Sequence, residues 1–209
     1  MTNEIVNKMI CRKCGKESAV VAWPILDAQK MPHIKREILD WEFFFSTCPD
    51  CGAKTDFFYT ASYIDRQDKV LLRTFTGPLP ISEDIPFPMP PPVTFTFRQY
   101  VFRDVVGWRE MREKLLIFSL GMNDFQIELA KYIIQMQYHV FNLEFVSAGR
   151  DKWVFRNCTG GLSRPEYITF DPRDYQKALD LLDHDYLYLK TYLHVDIFLV
   201  EQVIQSMLH

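Results

Sequence analysis

The chain contains no apolar run long enough to cross a bilayer. Charged or amide side chains interrupt even residues 195–207, whereas a spanning helix needs about 20 predominantly apolar positions. The opening stretch Met1-Thr-Asn-Glu-Ile-Val-Asn-Lys-Met-Ile10 has one lysine and no apolar core followed by small residues, so it lacks the layout of a secretory signal. A soluble cytoplasmic protein with no membrane partner is the expectation. Excess positive charge is also missing: 24 Lys and Arg face 27 Asp and Glu, for a net charge of −3. Residues 1–76 carry 11 basic and 10 acidic side chains, and residues 77–209 carry 13 and 17. Neither part has the overall footprint of a duplex-binding protein, although a local basic patch is compatible with these totals. There is no Gly-x-Ser-x-Gly elbow, no His-Glu-x-x-His helix, no Walker loop and no dinucleotide fingerprint, so the best-marked catalytic classes have no foothold. The five histidines, at 33, 139, 184, 194 and 209, include no pair at metal-ligand spacing. No repeat of solenoid or propeller length is present.

What the chain does have is material for a packed interior. Of 209 residues 48% are hydrophobic, with 17 Phe, 10 Tyr and 4 Trp, and a protein of this size removes roughly 70% of its unfolded surface from water. Seven prolines between positions 77 and 92 remove backbone donors and forbid helix or central strand. They predict an extended, semi-rigid linker between residues 1–76 and residues 93–209. A plain connector is the simpler reading of it, and a docking site for a proline-recognising partner the sharper one.

In the first part, residues 19–25 read as a strand, 32–41 as a short helix with Pro32 in its first turn, and 42–47 as another strand. Residues 54–63 and 69–75 are rich in aromatic and β-branched types, and Asp65-Arg-Gln-Asp68 suits the turn between them. Three or four antiparallel strands with a helical insertion are predicted. In the second part, residues 93–97 read as a strand. Residues 108–120 read as a helix with Trp108, Met111, Leu115 and Phe118 on one face, ended by Gly121. Asn123-x-x-Gln126 resembles a capping box for a second helix bearing Met122, Phe125, Leu129, Ile133, Met136 and Val140 as its apolar stripe. Helices this close in sequence are expected to pack as an antiparallel pair. Alternation at Phe141, Leu143 and Phe145, then at Trp153 and Phe155, predicts a hairpin turning at residues 148–151, with a third strand at 166–170. Asp171-Pro172 reads as a helix start. A strand near 186–192 and a terminal helix from about Asp196, with Ile197, Val200, Val203 or Ile204, and Met207 inward, complete the α+β pattern.

Cys11-Arg-Lys-Cys14-Gly15 and Cys48-Pro-Asp-Cys51-Gly52 are two copies of one short motif, with 33 residues between them. Two residues between cysteines let one tight turn aim both sulfurs at a common point, and the following glycine tolerates positive φ. Two such knuckles complete a tetrahedral four-sulfur shell with no open position, which suits a structural Zn²⁺. Iron suits the same donors, because sequence does not choose the metal. Redox-active pairs lack a strand-to-helix context here, and structural disulfides lack an export signal.

These residues resemble the CpXC family of bacterial and archaeal proteins, whose paired Cys-Pro-X-Cys motifs give it its name. The resemblance extends to the helix Ile34-Lys-Arg-Glu-Ile-Leu39, the strand Phe43-Phe-Phe45 leading into the second knuckle, and the hairpin through Tyr63 and Leu71. More loosely it reaches Met111-Arg-Glu-Lys-Leu-Leu-Ile-Phe118 and Gly121-Met-Asn-Asp124. It implies a zinc-ribbon-like fold in residues 1–76 and the ligands Cys11, Cys14, Cys48 and Cys51, and it carries no activity with it. Arg12 stands where the family motif has proline, which leaves the sulfur spacing intact.

Other candidates each have a plainer reading. Cys158, beside a glycine pair, is a reduced half-buried thiol unless a base stands near it. His33 is a surface residue near a helix start. Asp180, Asp183, His184 and Asp185 gather negative charge at a helix end, where a cation or basic partner would compensate and a solvated loop is the commoner outcome. Asp171 and Asp174 read as N-terminal helix charges. Arg12, Lys13, Lys16 and Lys54, with Trp23, Phe43 and Phe57, can form a nucleic-acid face, yet Glu17, Asp50 and Asp56 lie among them and the rings have a packing role available. The leading expectation is a zinc-stabilised binding or scaffold protein with a protein partner. Single-stranded nucleic-acid binding by the ribbon and an enzyme with its site in residues 93–209, around Cys158, Arg164, Asp183 or His184, are the alternatives.

Overall fold

The computed structural model describes residues 4–77, 79, 100–159, 166–173 and 194–207. It is an α+β protein with two compact units, Met1–Arg112 and Glu113–His209.

The first unit contains two short hairpins and a four-stranded sheet. Strands β1 (Ile5–Ile10) and β2 (Glu17–Ala22) pair antiparallel, ending with Ile10 opposite Glu17. Strands β3 (Ile25–Asp27), β6 (Ala61–Asp65), β7 (Val70–Phe75) and β8 (Val101–Val106) form a sheet in the order β3-β6-β7-β8. Helix α1 (Ile34–Leu39) intervenes after β3, and the second hairpin joins β4 (Phe45–Thr47) to β5 (Lys54–Asp56), ending with Thr47 opposite Lys54. Ile34 and Ile38, four residues apart and so on one helix face, are buried, as are Leu26, Tyr63, Ile64, Leu71 and Leu72.

Several expectations change here. The strand predicted over 19–25 is two strands broken at Trp23-Pro24, because proline has no N–H to continue a ladder; the Pro24 carbonyl instead accepts from the Ser62 amide at 2.8 Å. The strand predicted over 54–63 is likewise two. The sheet is mixed rather than antiparallel, since β3 runs parallel to β6 and β7 parallel to β8. Strand β8 belongs to the first unit's sheet, so the compact units divide after Arg112, whereas the sequence reading assigned everything from residue 93 onward to the C-terminal part. Charge hid this strand. Arg103 and Asp104 are both buried, and Asp104 is held by the Arg73 guanidinium in two parallel 2.5 Å hydrogen bonds, a fork geometry that lets a carboxylate leave water.

At the base of the two hairpins lies an aromatic cluster. Trp23 follows β2, Phe43 and Phe44 precede β4, and Phe57 and Tyr59 follow β5. Trp108, 1% exposed, lies 4.7 Å from Phe44 with the rings tilted at 33° and edge-on at 5.3 Å from Tyr59, while Trp23 and Phe43 meet at 6.2 Å. The Phe57 amide donates to the Phe44 carbonyl at 3.0 Å, extending the second hairpin into the cluster.

Helix α2 (Gly107–Ser119) runs across the division between units. The second unit adds α3 (Asp124–Tyr138), the antiparallel strands β9 (Leu143–Ala148), β10 (Trp153–Asn157) and β11 (Glu166–Phe170) in the order β11-β10-β9, and α4 (Ile197–Met207). Asn123 Oδ1 accepts from the Phe125 amide at 2.9 Å and caps α3, as its sequence position predicts. The core unites Ile117, Phe125, Ile127, Ile134, Phe145, Phe155, Val195 and Val200. Met136, expected on the inward stripe of α3, is exposed, and Ile134 is buried in its stead.

Helices α2 and α3 share one core through Ile117, Phe125 and Ile127. Among the described residues the close helix packing is α3 against α4, and α2 is tied to α3 through long charged side chains. Lys114 lies 3.1 Å from Glu128 and 3.4 Å from Asp124; Lys131 lies 2.7 Å from Glu113 and 3.1 Å from Glu128. All five side chains are buried. Lys114 also donates to the Val195 carbonyl, and Glu113 accepts from the Phe145 amide, each at 2.5 Å. Burial pushes the Glu113 carboxyl up against the pull of Lys131. Lys131 is raised because Glu113 and Glu128 together outweigh its own desolvation.

The predicted strand at 93–97, most of the proline-rich linker, the helix beyond Arg173, the cluster at 180–185 and the strand at 186–192 lie outside the described residues.

Candidate metal centre

Each Cys-x-x-Cys motif is the turn of one hairpin, and the two turns are built alike. In the first, the Cys11 amide donates to the Lys16 carbonyl at 2.9 Å and the Gly15 amide to the Cys11 carbonyl at 2.8 Å; in the second, the Cys48 amide donates to the Ala53 carbonyl and the Gly52 amide to the Cys48 carbonyl, both at 2.9 Å. Gly15 and Gly52 have φ of +70° and +69°, values at which a side chain would be strained. Arg12 and Pro49 occupy the same turn position without changing this pattern, so the departure from proline at Arg12 leaves the knuckle unaltered.

The turns bring all four sulfurs within 4.8 Å of one another, a cluster that can hold a metal ion. Cys11 Sγ is 3.6 Å from Cys51 Sγ, and Cys14 Sγ is 3.7 Å from Cys48 Sγ. A tetrahedron of sulfurs each about 2.3 Å from a central cation has edges of about 3.8 Å, so the donor set fits such an ion in number, type and spacing. Among the described residues no other group of His, Cys, Asp and Glu meets the same geometry. Cys11 and Cys48 are each 1% exposed, Cys51 is half-buried, and Cys14 is exposed. The Lys16 ammonium reaches Asp50 at 2.5 Å and links one knuckle to the other.

Four thiols this close cannot all ionise without a cation to balance them. The backbone N–H groups of Cys14 and Lys13 hold Cys11 down to about 6. Cys14 is pushed up to about 12: the Lys16 N–H favours its thiolate, but partial desolvation and the three neighbouring sulfurs outweigh that. A divalent cation removes the conflict, because it binds thiolates.

The other candidates are dispersed. His33 is exposed, stands one residue before α1 and makes no side-chain cap. Trp23, Phe43 and Phe57 are half-buried, ring against ring in the aromatic cluster. Lys16 is engaged with Asp50, while Arg12, Lys13 and Lys54 are exposed. Cys158 is half-buried, with its sulfur 3.8 Å from Glu144 Oε2, an oxygen that also pairs with Arg156. Asp171 accepts from the Arg173 amide at 2.9 Å, consistent with a helix start; Asp174, Arg164, Asp180, Asp183, His184 and Asp185 lie outside the described residues. The buried Lys114–Lys131 network was not anticipated from the sequence. Its signal was available: Lys114 falls between Met111 and Leu115, on the turns that supply the apolar face of α2.

The family model described as CpXC protein matches residues 9–131, more than half of the chain, and covers both knuckles. The chain belongs to the CpXC family. No curated protein and no solved structure matches it. Among the described residues no helix is long and apolar enough to cross a membrane.

Proposed function

We propose that Cys11, Cys14, Cys48 and Cys51 hold one structural Zn²⁺ and that the chain is a zinc-stabilised binding or scaffold module for another protein. The observation that carries this reading is the pair of matched knuckles, each giving two sulfurs to one closed set of four. Thiolate donors in a tetrahedral array favour zinc, and with all four positions taken by protein sulfur there is no site for water or substrate. The two hairpins so joined are a zinc-ribbon-like element, and zinc is its folding nucleus. A cytoplasmic location accords with reduced thiolates.

The surface available for a partner includes the outward side of the first hairpin. Val6, Ile10 and Val21 are exposed there beside the Lys8–Glu17 ion pair. Nucleic acid is the less favoured partner because Trp23, Phe43 and Phe57 contact other rings rather than standing free to stack on bases.

Affinity purification of the full chain from its native cell, with protein, nucleic acid and metal analysed together, tests the reading. One zinc per chain and enrichment of a specific protein are the expected results. A metal-free chain removes the zinc assignment, and nuclease-sensitive nucleic acid without a protein partner replaces the binding assignment.

A further inference from the structure

The four sulfurs are not equivalent, and their differences converge on one of them. Cys11 and Cys48 are each 1% exposed and Cys51 is half-buried, whereas Cys14 is exposed. An electrophile in solution reaches the exposed sulfur of such a set before the buried ones. Cys14 Sγ lies 3.7 Å from Cys48 Sγ, in the opposite knuckle.

We infer that Cys14 is an oxidation site, the point at which a peroxide or another small electrophile opens the four-thiolate cluster, with Cys48 as its resolving partner. The inference rests on the reading of the cluster as a metal–thiolate centre. The Cys14 thiolate attacks one oxygen of hydrogen peroxide and breaks the O–O bond, giving a sulfenic acid and hydroxide; sulfur is oxidised and the peroxide reduced. The Cys48 thiolate then attacks the Cys14 sulfur, forms the S–S bond and expels a second hydroxide. Two of the four donors are consumed, which lowers the cluster's hold on its cation. The bridge joins the two hairpins covalently, so oxidation and chelation leave different products: a cross-linked ribbon in one case and separated hairpins in the other.

The test uses the zinc-loaded full chain carrying Cys158→Ala, so that the remaining thiols are those of the cluster. Metal content is measured first. The protein is then exposed to limiting N-ethylmaleimide or to hydrogen peroxide, with zinc release followed by a colorimetric chelator and modified cysteines located by peptide mass spectrometry. The expected result is alkylation of Cys14 several-fold faster than of Cys11, Cys48 or Cys51, and a peroxide product whose linked peptides contain Cys14 and Cys48, formed in step with zinc release. First labelling at another cysteine, equal labelling of all four, or a bridge within one knuckle overturns the inference while leaving a zinc-bearing chain intact. A chain that carries no metal when isolated removes the underlying reading as well.

Discussion

Gly15 and Gly52 occupy the same place in two turns with matching hydrogen bonds: each has φ near +70°, and each donates its amide to the carbonyl of the first cysteine of its knuckle, Cys11 or Cys48. A Cβ at either position would meet nothing within 4 Å. The requirement for glycine is therefore conformational rather than steric crowding by neighbours. Gly15→Ala and Gly52→Ala are each expected to cost ~1–2 kcal/mol through the left-handed backbone alone. Asparagine at either site should be milder and valine worse. Urea denaturation of the zinc-loaded protein checks this order; equal effects of alanine, asparagine and valine would point to a cause other than φ.

The buried charges of the second unit give another prediction. Lys131 sits between Glu113 and Glu128, so Lys131→Met strands carboxylates in the interior and should cost ~3–5 kcal/mol. Adding Glu113→Leu should recover part of that loss, which denaturant melts of the single and double variants will report.

The same network has a pH signature. Burial raises Glu113 above its ordinary value of 4.5. Its contribution to stability is then complete below that value and declines as pH rises through the higher folded value, because the folded state binds the proton more tightly than the unfolded one. Lys131, also raised, contributes fully below 10.5 and loses that contribution above it. Glu113→Gln should flatten the acidic limb of this dependence, measured as denaturation midpoint against pH.

Trp108 anchors the aromatic cluster, yet its indole Nε1 is buried without a hydrogen-bond partner among the described residues. Trp108→Ala should cost ~3–5 kcal/mol by leaving a cavity. Trp108→Phe should cost much less, because the N–H it removes has no bond to lose. A phenylalanine variant as damaged as the alanine variant would mean that the indole N–H is satisfied in solution.

What could be read from the sequence was what local chemistry fixes. The knuckles depend on residues a few positions apart, and α2, α3 and the β9–β10–β11 meander carry their period or alternation openly. Strand β1 carries little local signal at Ile5, Val6 and Ile10, because its partner strand lies beyond the knuckle. The parallel pairings of β3 with β6 and β7 with β8 join segments far apart in sequence, which no local pattern encodes. Strand β8 is obscured by two charged residues, Arg103 and Asp104, and the burial of Asp104 depends on Arg73, 31 residues away. For the candidate site, the four cysteines were legible and their unequal exposure was not, since exposure arises from how the two hairpins meet.

Zinc binding to comparable peptides contributes ~10–16 kcal/mol, far more than two isolated two-stranded hairpins supply in water. The most direct test is hydrogen exchange by mass spectrometry on the full chain, with metal content determined before and after chelation. One zinc per chain is expected, with chelation abolishing amide protection in β1, β2, β4 and β5 while β9, β10 and β11 keep theirs. A chain without metal, or protection in the two hairpins unchanged by its removal, would contradict it.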